Sequence, residues 1–123
     1  MLHLESIQEK KKSNMNKAIC YANLTLSHKK HPLQFIVGLG FKGELINGRI
    51  KGIDLNLERK KLEQFNFKIR DEDLFSLIKN YKGMESLAYY YFKELKNKDV
   101  DFIIIKENNT EEILIENPIH NAK

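Results

Sequence analysis

The first chemically suggestive feature is a set of glycines, Gly38, Gly40 and Gly43, which has the spacing GxGxxG and lies at the end of a predicted strand. In dinucleotide-binding proteins these glycines let the backbone approach a pyrophosphate, which sits at the N-terminus of the following helix. Only four residues separate Gly43 from Gly48, so no such helix fits. We therefore expect no nucleotide cofactor, and we expect the glycines to bend a strand or to form a bulge.

Two histidines, His28 and His31, have a spacing that could serve a metal ion or a proton transfer. Zinc needs three or four converging ligands, and the further candidates are only Cys20 upstream and the remote His120. Beside nearby lysines, the pair could act as general acid and base in a metal-independent RNA cleavage. Spacing alone supports neither role. We expect no metal site, assign no catalytic residue, and favour a non-enzymatic function.

The net charge of +4 is distributed unevenly along the chain. Residues 1–70 contain 14 Lys or Arg and six Asp or Glu, whereas residues 71–123 contain seven and 11. Such asymmetry can mark a surface for nucleic acid or for an acidic protein. However, 18 of the 21 basic residues are Lys and 12 residues are Asn, a bias that an AT-rich coding sequence produces without selection for binding. The charge alone therefore does not predict nucleic-acid binding.

The composition indicates a soluble cytoplasmic protein without a membrane partner. No stretch approaches the roughly 18 to 20 apolar residues of a membrane span, and residues 1–12 lack the hydrophobic run of a secretory signal. The single cysteine cannot form an internal disulfide.

The hydrophobic pattern predicts one α+β domain over residues 1–123, with a mobile tail at 117–123. The predicted elements begin with a helix at 2–22, although Ile19, Tyr21, Leu24 and Leu26 could equally belong to a strand that ends at Ser27. They continue with a loop at 27–32, strands at 33–41, 49–58 and 62–69, a helix capped by Asp71, a helix beginning at Met84, and strands at 100–105 and 113–115. The order α-β-β-β-α-α-β-β corresponds to an antiparallel sheet of about five strands with an N-terminal helix and a central helix pair.

Residues 71–116 also have the outline of a winged helix-turn-helix, but Glu85 on its recognition helix and Glu107 and Glu111 on its wing would repel phosphate. If RNA or DNA binds, the contacts would come from a set of lysines elsewhere. These are Lys10, Lys11, Lys12, Lys29, Lys30, Lys60 and Lys61.

Two neighbouring tyrosines, Tyr89 and Tyr90, lie off the apolar stripe of the second predicted helix. Exposed tyrosines are plausible interface anchors, although a helix packed on two sides would use them as core residues. The first hypothesis is a small protein-binding or regulatory module, such as an inhibitor, an immunity-type protein or a chaperone-like adaptor, whose partner is another protein bound through Tyr89 and Tyr90. The alternative is a basic RNA- or DNA-binding protein, including a small ribonuclease of the toxin type.

Overall fold

A computed structural model describes residues 16–108 and 110–121 of the chain. The elements are β1 (Asn16–His28), β2 (His31–Gly43), β3 (Leu45–Ile46), β4 (Arg49–Ile50), α1 (Leu55–Lys68), α2 (Leu74–Leu77), α3 (Met84–Leu95), β5 (Phe102–Glu107), β6 (Glu111–Glu116) and α4 (Pro118–Asn121). The fold is therefore α+β, as the sequence predicted, with a four-stranded and a two-stranded antiparallel sheet.

The main sheet has the strand order β1-β2-β5-β6, and every neighbouring pair is antiparallel. Strands β1 and β2 pair without interruption over 13 residues each and are joined by Lys29 and Lys30, which both have positive φ. This geometry matches the twist of a two-residue hairpin, although Asn and Gly usually supply it. The predicted loop at 27–32 is thus a tight turn between two long strands.

One face of this sheet carries the hydrophobic core, and helices α1 and α3 pack on it. Alternate residues of β1 and β2 point into the core, as expected for strands with one face against helices. The fully buried side chains on the helices are Leu62 of α1 and Leu87, Ala88 and Tyr91 of α3. The apolar stripe that the sequence predicted for the helix beginning at Met84 is confirmed at these three positions of α3.

The other face, which we call the open face, is apolar at its centre as well. Phe102 and Ile104 of β5 are 1% and 5% exposed there. The ammonium groups of Lys17 and Lys42 lie 5.8 and 5.7 Å from the centre of the Phe102 ring, so the lysine stems cover that ring. Because Gly40 has no side chain, the Phe102 ring can lie directly against its backbone. The glycines of the GxGxxG run therefore form no bulge in β2, since the register of β2 with β1 is continuous.

The predictions for residues 49–69 are wrong. Only Arg49–Ile50 are extended, and the rest of both predicted strands lies in the approach to α1 and in α1 itself. The buried side of α1 includes the polar residues Glu58 and Asn66, and these interrupt the apolar stripe that would have indicated a helix. Asp54 caps the helix by accepting a hydrogen bond from the Leu57 amide at 3.2 Å.

Two further boundaries differ from the prediction. Residues 16–22 belong to β1, so the predicted N-terminal helix is wrong there, and the alternative prediction of a strand ending at Ser27 is confirmed. The rest of the predicted helix lies outside the described residues. The helix cap is Asp73, whose carboxylate accepts from the Ser76 amide at 3.0 Å, and the capped helix α2 has only four residues. Asp71 instead adopts a left-handed conformation with φ of 64°.

The predicted tail contains a short helix, α4, preceded by the buried residue Asn117. The Asn117 amide group donates to the carbonyl of Val100 at 2.7 Å, and its side-chain oxygen accepts from the Ile119 amide. The first of these bonds connects residue 117 to the loop before β5, and the second lies within the start of α4. Residues 122 and 123 lie outside the described residues.

Candidate partner-binding edge

Strand β1 is an edge of the main sheet, and its odd-numbered residues direct their backbone N–H and C=O groups away from β2. Three hydrogen bonds establish this direction. The Ser27 amide donates to the Glu72 carbonyl at 2.9 Å, the Thr25 carbonyl accepts from the Asp71 amide at 2.8 Å, and the Asn23 carbonyl accepts from the Asn66 side chain at 3.0 Å. The even-numbered residues consequently face β2. Residues 71–73 and Asn66 thus cover the C-terminal half of this edge.

The N-terminal half of the same edge lacks such cover. Within the described residues, no hydrogen bond reaches the outward N–H and C=O groups of Lys17, Ile19 and Tyr21. These residues span five positions of regular strand, about 13 Å. Unpaired edge groups are a ready template for an incoming strand, and folded proteins usually protect them.

The opposite edge of the sheet, β6, is protected in a recognised way. It has six residues and carries Glu111, Glu112 and Glu116. Charged side chains on a short edge strand discourage pairing with another chain. The uncovered part of β1 instead has Ile19 and half-exposed Tyr21 beside a single Lys17. Of the two edges, β1 is the one suited to strand addition.

Helix α1 runs alongside β1 in the same direction. Asn56 lines a cleft with Lys17 and Ala18, whereas Glu63 and Phe67 line another with Ala22 and other residues of β1. Positions 56, 59, 63 and 67 follow each other at three- and four-residue spacing, so Arg59 lies on the same side of α1. We call the space between this side of α1 and β1 residues 17–23 the edge groove.

The first end of the edge groove is a cleft of about 310 Å³. Its apolar lining comes from the β3–β4 hairpin, the loop after it and the start of α1, through Leu45, Ile50, Ile53 and Leu55. Arg49 also lines the cleft and supplies its positive charge. Lys17 lines it too, but the ammonium group of Lys17 lies over the Phe102 ring on the open face, and the carboxylate of Asp54 caps α1. The cleft can hold one apolar side chain with an anionic group beside it.

The other end of the groove is marked by Phe67, which is 63% exposed. The guanidinium of Arg70 lies 4.2 Å from the centre of its ring, a cation–π contact that holds both side chains in place. Arg70 also approaches the carboxylate of Asp71 at 3.8 Å. Phe67 is therefore an exposed but oriented aromatic surface.

Arg49 and Arg70 line the clefts at the two ends of the edge groove. The third arginine of the chain, Arg59, lies on the side of α1 that faces β1, as its helical spacing from Asn56 and Glu63 indicates. Neither Arg49 nor Arg59 forms a salt bridge with any residue that the structure describes. Burial raises the pKa of the Cys20 thiol to about 11 and Glu58 adds to this rise, whereas the charge of Arg59 opposes it. The opposing effect is consistent with Arg59 lying beside the middle of β1.

The two tyrosines predicted as interface anchors have different surroundings. Tyr89 is 48% exposed. The ring of Tyr90 is half-buried and lies 6.3 Å from that of Phe65 and 6.1 Å from that of Tyr91. Tyr90 thus contributes to the packing of α3 on α1, while Tyr89 is free to contact a partner. A partner-binding role for the pair stays a prediction.

The lysines predicted to bind a polyanion lie on separate elements. Lys29 and Lys30 form the tip of the β1–β2 hairpin, and Lys60 and Lys61 lie near the middle of α1. Since the middle of α1 lies beside Cys20, nine strand residues, or about 30 Å, separate the two pairs. Lys10, Lys11 and Lys12 lie outside the described residues.

The two histidines flank the hairpin turn as a cross-strand pair. The ring of His28 stacks at 4.7 Å on that of Phe75, which in turn contacts Tyr81, whereas His31 is exposed. No group of three or more metal-ligating side chains occurs among the side chains that the structure describes, which belong to residues 16–108 and 110–119. The surroundings of His28 are those of an aromatic packing residue.

Within the same two ranges, no helix is long and apolar enough to cross a membrane. Comparison with known proteins gave no match to a protein family and none to a curated protein sequence. The geometry of the edge groove is therefore the basis for a functional proposal.

Proposed function

We propose that this chain is a small protein-binding module that takes up an extended segment of a partner protein as an additional strand beside β1. The proposal rests on a difference between the two halves of β1 in the hydrogen bonding of their outward backbone groups. Asn23, Thr25 and Ser27 have backbone groups bonded to the loop after α1 or to Asn66, whereas the outward groups of Lys17, Ile19 and Tyr21 have no partner within the described chain.

Strand addition suits these groups because main-chain hydrogen bonds supply affinity and pockets for alternate side chains supply specificity. The cleft lined by Leu45 and Ile53 and the exposed ring of Phe67 offer two such side-chain contacts, one near each end of the groove. Tyr89, on α3, would belong to a second contact with a larger partner. Binding of RNA or DNA through the lysines stays an alternative that no feature of the groove favours.

Replacing Ile19 by proline tests the proposal. The ring removes one outward N–H and obstructs the neighbouring strand position, but it leaves the bonds of Ala18 and Cys20 to β2 intact. We expect binding of a pool of end-blocked octapeptides, with valine at alternate positions and mixed residues between them, to weaken by at least about tenfold. Fluorescence anisotropy measures the affinity.

Ile19→Ala is the matched control, because it shortens the same side chain and keeps the N–H. A second measurement uses the natural protein and two sets of octapeptides, one N-methylated at the odd-numbered residues and the other at the even-numbered residues. Each set lacks the N–H donors on one edge of the added strand, so only one of the two sets should lose affinity for β1. Equal affinity of the Ile19→Pro and Ile19→Ala variants, with both folded by circular dichroism, would contradict the proposal. So would equal binding of the two N-methylated sets and the unmodified pool.

A further inference from the structure

We infer that the segment bound at the edge groove alternates acidic and apolar residues, with its acidic side chains on the side of α1 and its apolar side chains on the open face. This inference rests on the proposed function, since it specifies the chemistry of the added strand. It follows from what an incoming strand would meet on each side of the sheet.

On the open face, the added strand would lie beside the side chains of Lys17, Ile19 and Tyr21, and the ammonium group of Lys17 is turned toward the Phe102 ring. Tyr21 is 38% exposed and its ring packs over Gly38, while Ile19 is half-buried in the same β1 row. Cross-strand neighbours on one face interact directly, and apolar pairs are favourable there. Every second residue of the segment should therefore be apolar.

On the side of α1, the intervening residues would face arginines. The spacing of Arg59 from Asn56 and Glu63 puts it on the side of α1 that faces β1, and Arg49 lines the cleft at the start of the groove. Both arginines are exposed and form no salt bridge within the described chain. A guanidinium binds a carboxylate with two parallel hydrogen bonds, which makes such pairs stronger than neutral contacts. Glu63 lies further along, beside Ala22 and Asn23, and Asp54 caps α1. The charge of Glu58 also acts on Cys20, but this residue is buried and its carboxylate accepts a hydrogen bond from the Asn97 side chain. The exposed charges available to a segment beside residues 17–21 are therefore those of the two arginines.

Three end-blocked octapeptides test the inference, each with valine at alternate positions and with glutamate, threonine or lysine between them. At low salt we expect the glutamate peptide to bind about tenfold more tightly than the threonine peptide, and the lysine peptide to bind most weakly. The preference should shrink as salt is raised, because the pairs lie at the surface. Fluorescence anisotropy gives the three affinities.

The double variant Arg49→Gln/Arg59→Gln should remove the preference for glutamate and leave affinity for the threonine peptide unchanged. The control Lys82→Gln/Lys93→Gln removes the same charge from exposed positions outside the groove, before and on α3, and should retain the preference. Peptides that bind without a charge preference would overturn the inference and leave the proposed function standing. If none of the three peptides binds, the proposed function itself fails.

Two further outcomes would assign the groove to another occupant. An end-blocked oligodeoxythymidine octamer that binds more tightly than the glutamate peptide, and loses affinity in Arg49→Gln/Arg59→Gln, would replace the acidic peptide with nucleic acid. A dimer in sedimentation analysis that Ile19→Pro dissociates would show that β1 of a second copy fills the edge. Either result overturns the inference.

Discussion

Replacing Gly40 by alanine is expected to lower the free energy of unfolding by about 1–3 kcal/mol, the usual cost of adding a methyl group to a filled site. A Cβ at this position would overlap three ring atoms of Phe102, well inside van der Waals contact. The Phe102 ring is 1% exposed and lies under the stems of Lys17 and Lys42, so it cannot move aside freely. Urea denaturation measures the loss.

Gly38→Ala is the matched control on the same strand and face. A Cβ there would meet the Tyr21 ring at 2.7 and 2.9 Å, but this ring is 38% exposed and can rotate outward. Its cost should therefore be clearly smaller than that of Gly40→Ala. In a Phe102→Leu background, Gly40→Ala should also cost less than in the natural chain, because the overlapping ring atoms are gone. Equal costs for Gly38→Ala and Gly40→Ala would contradict this view of the open face.

Replacing Asn66 by leucine is expected to destabilise the fold by about 1–3 kcal/mol, the penalty for a buried polar group that loses its partner. The hydroxyl of fully buried Tyr91 donates to the side-chain oxygen of Asn66, and the Asn66 amide donates to the carbonyl of Asn23. Burial raises the pKa of Tyr91, and the adjacent Tyr90 adds to the rise, so the hydroxyl stays protonated and able to donate. This short chain of bonds joins α3 to α1 and α1 to β1.

The double variant Asn66→Leu/Tyr91→Phe separates the hydrogen bond from the volume change. Removing both partners leaves no buried hydroxyl without an acceptor, so Tyr91→Phe should cost little or even stabilise in the Asn66→Leu background. In the natural chain the same change should be destabilising, because it deprives the Asn66 oxygen of its donor. Urea unfolding of the four proteins gives the coupling energy. A coupling near zero would show that the bond between these two side chains contributes nothing.

The elements whose sequences show one unbroken hydrophobic pattern could be predicted from the sequence. Strands β5 and β6 and helix α3 were expected near their observed positions, because each presents a continuous apolar run or a regular helical stripe. Strand β2 was also expected, despite its glycines. Its two pairing neighbours and the absence of a bulge depend on contacts with β1 and β5, which are distant in sequence.

Helix α1 was missed because two polar residues lie on its buried side and two large apolar residues lie on its exposed side. Glu58 and Asn66 face the core, where Glu58 accepts from the Asn97 side chain at 2.7 Å, while Leu57 and Phe67 face solvent. The resulting sequence alternates in a way that imitates a strand. Asp54 was the available signal, since an aspartate before a run that includes Leu55, Leu57 and Glu58 is typical of an N-cap.

The candidate site could not be found from residue types. Unpaired backbone groups carry no signature in the sequence, because whether Ile19 has a neighbour depends on where residues 66–73 return to the sheet. The three arginines offered a partial signal, being rare among many lysines. Only the fold brings Arg49 and Arg59 to the same groove.

Amide hydrogen exchange along β1, followed by NMR, tests the central claim most directly. In the free protein, the amides of Ile19 and Tyr21 should exchange far faster than those of Cys20 and Ala22, which face β2, and faster than that of Ser27, which is bonded to Glu72. The glutamate octapeptide should slow exchange at Ile19 and Tyr21 selectively. Equal protection of all five amides in the free protein, or no change when the peptide binds, would contradict strand addition at this edge.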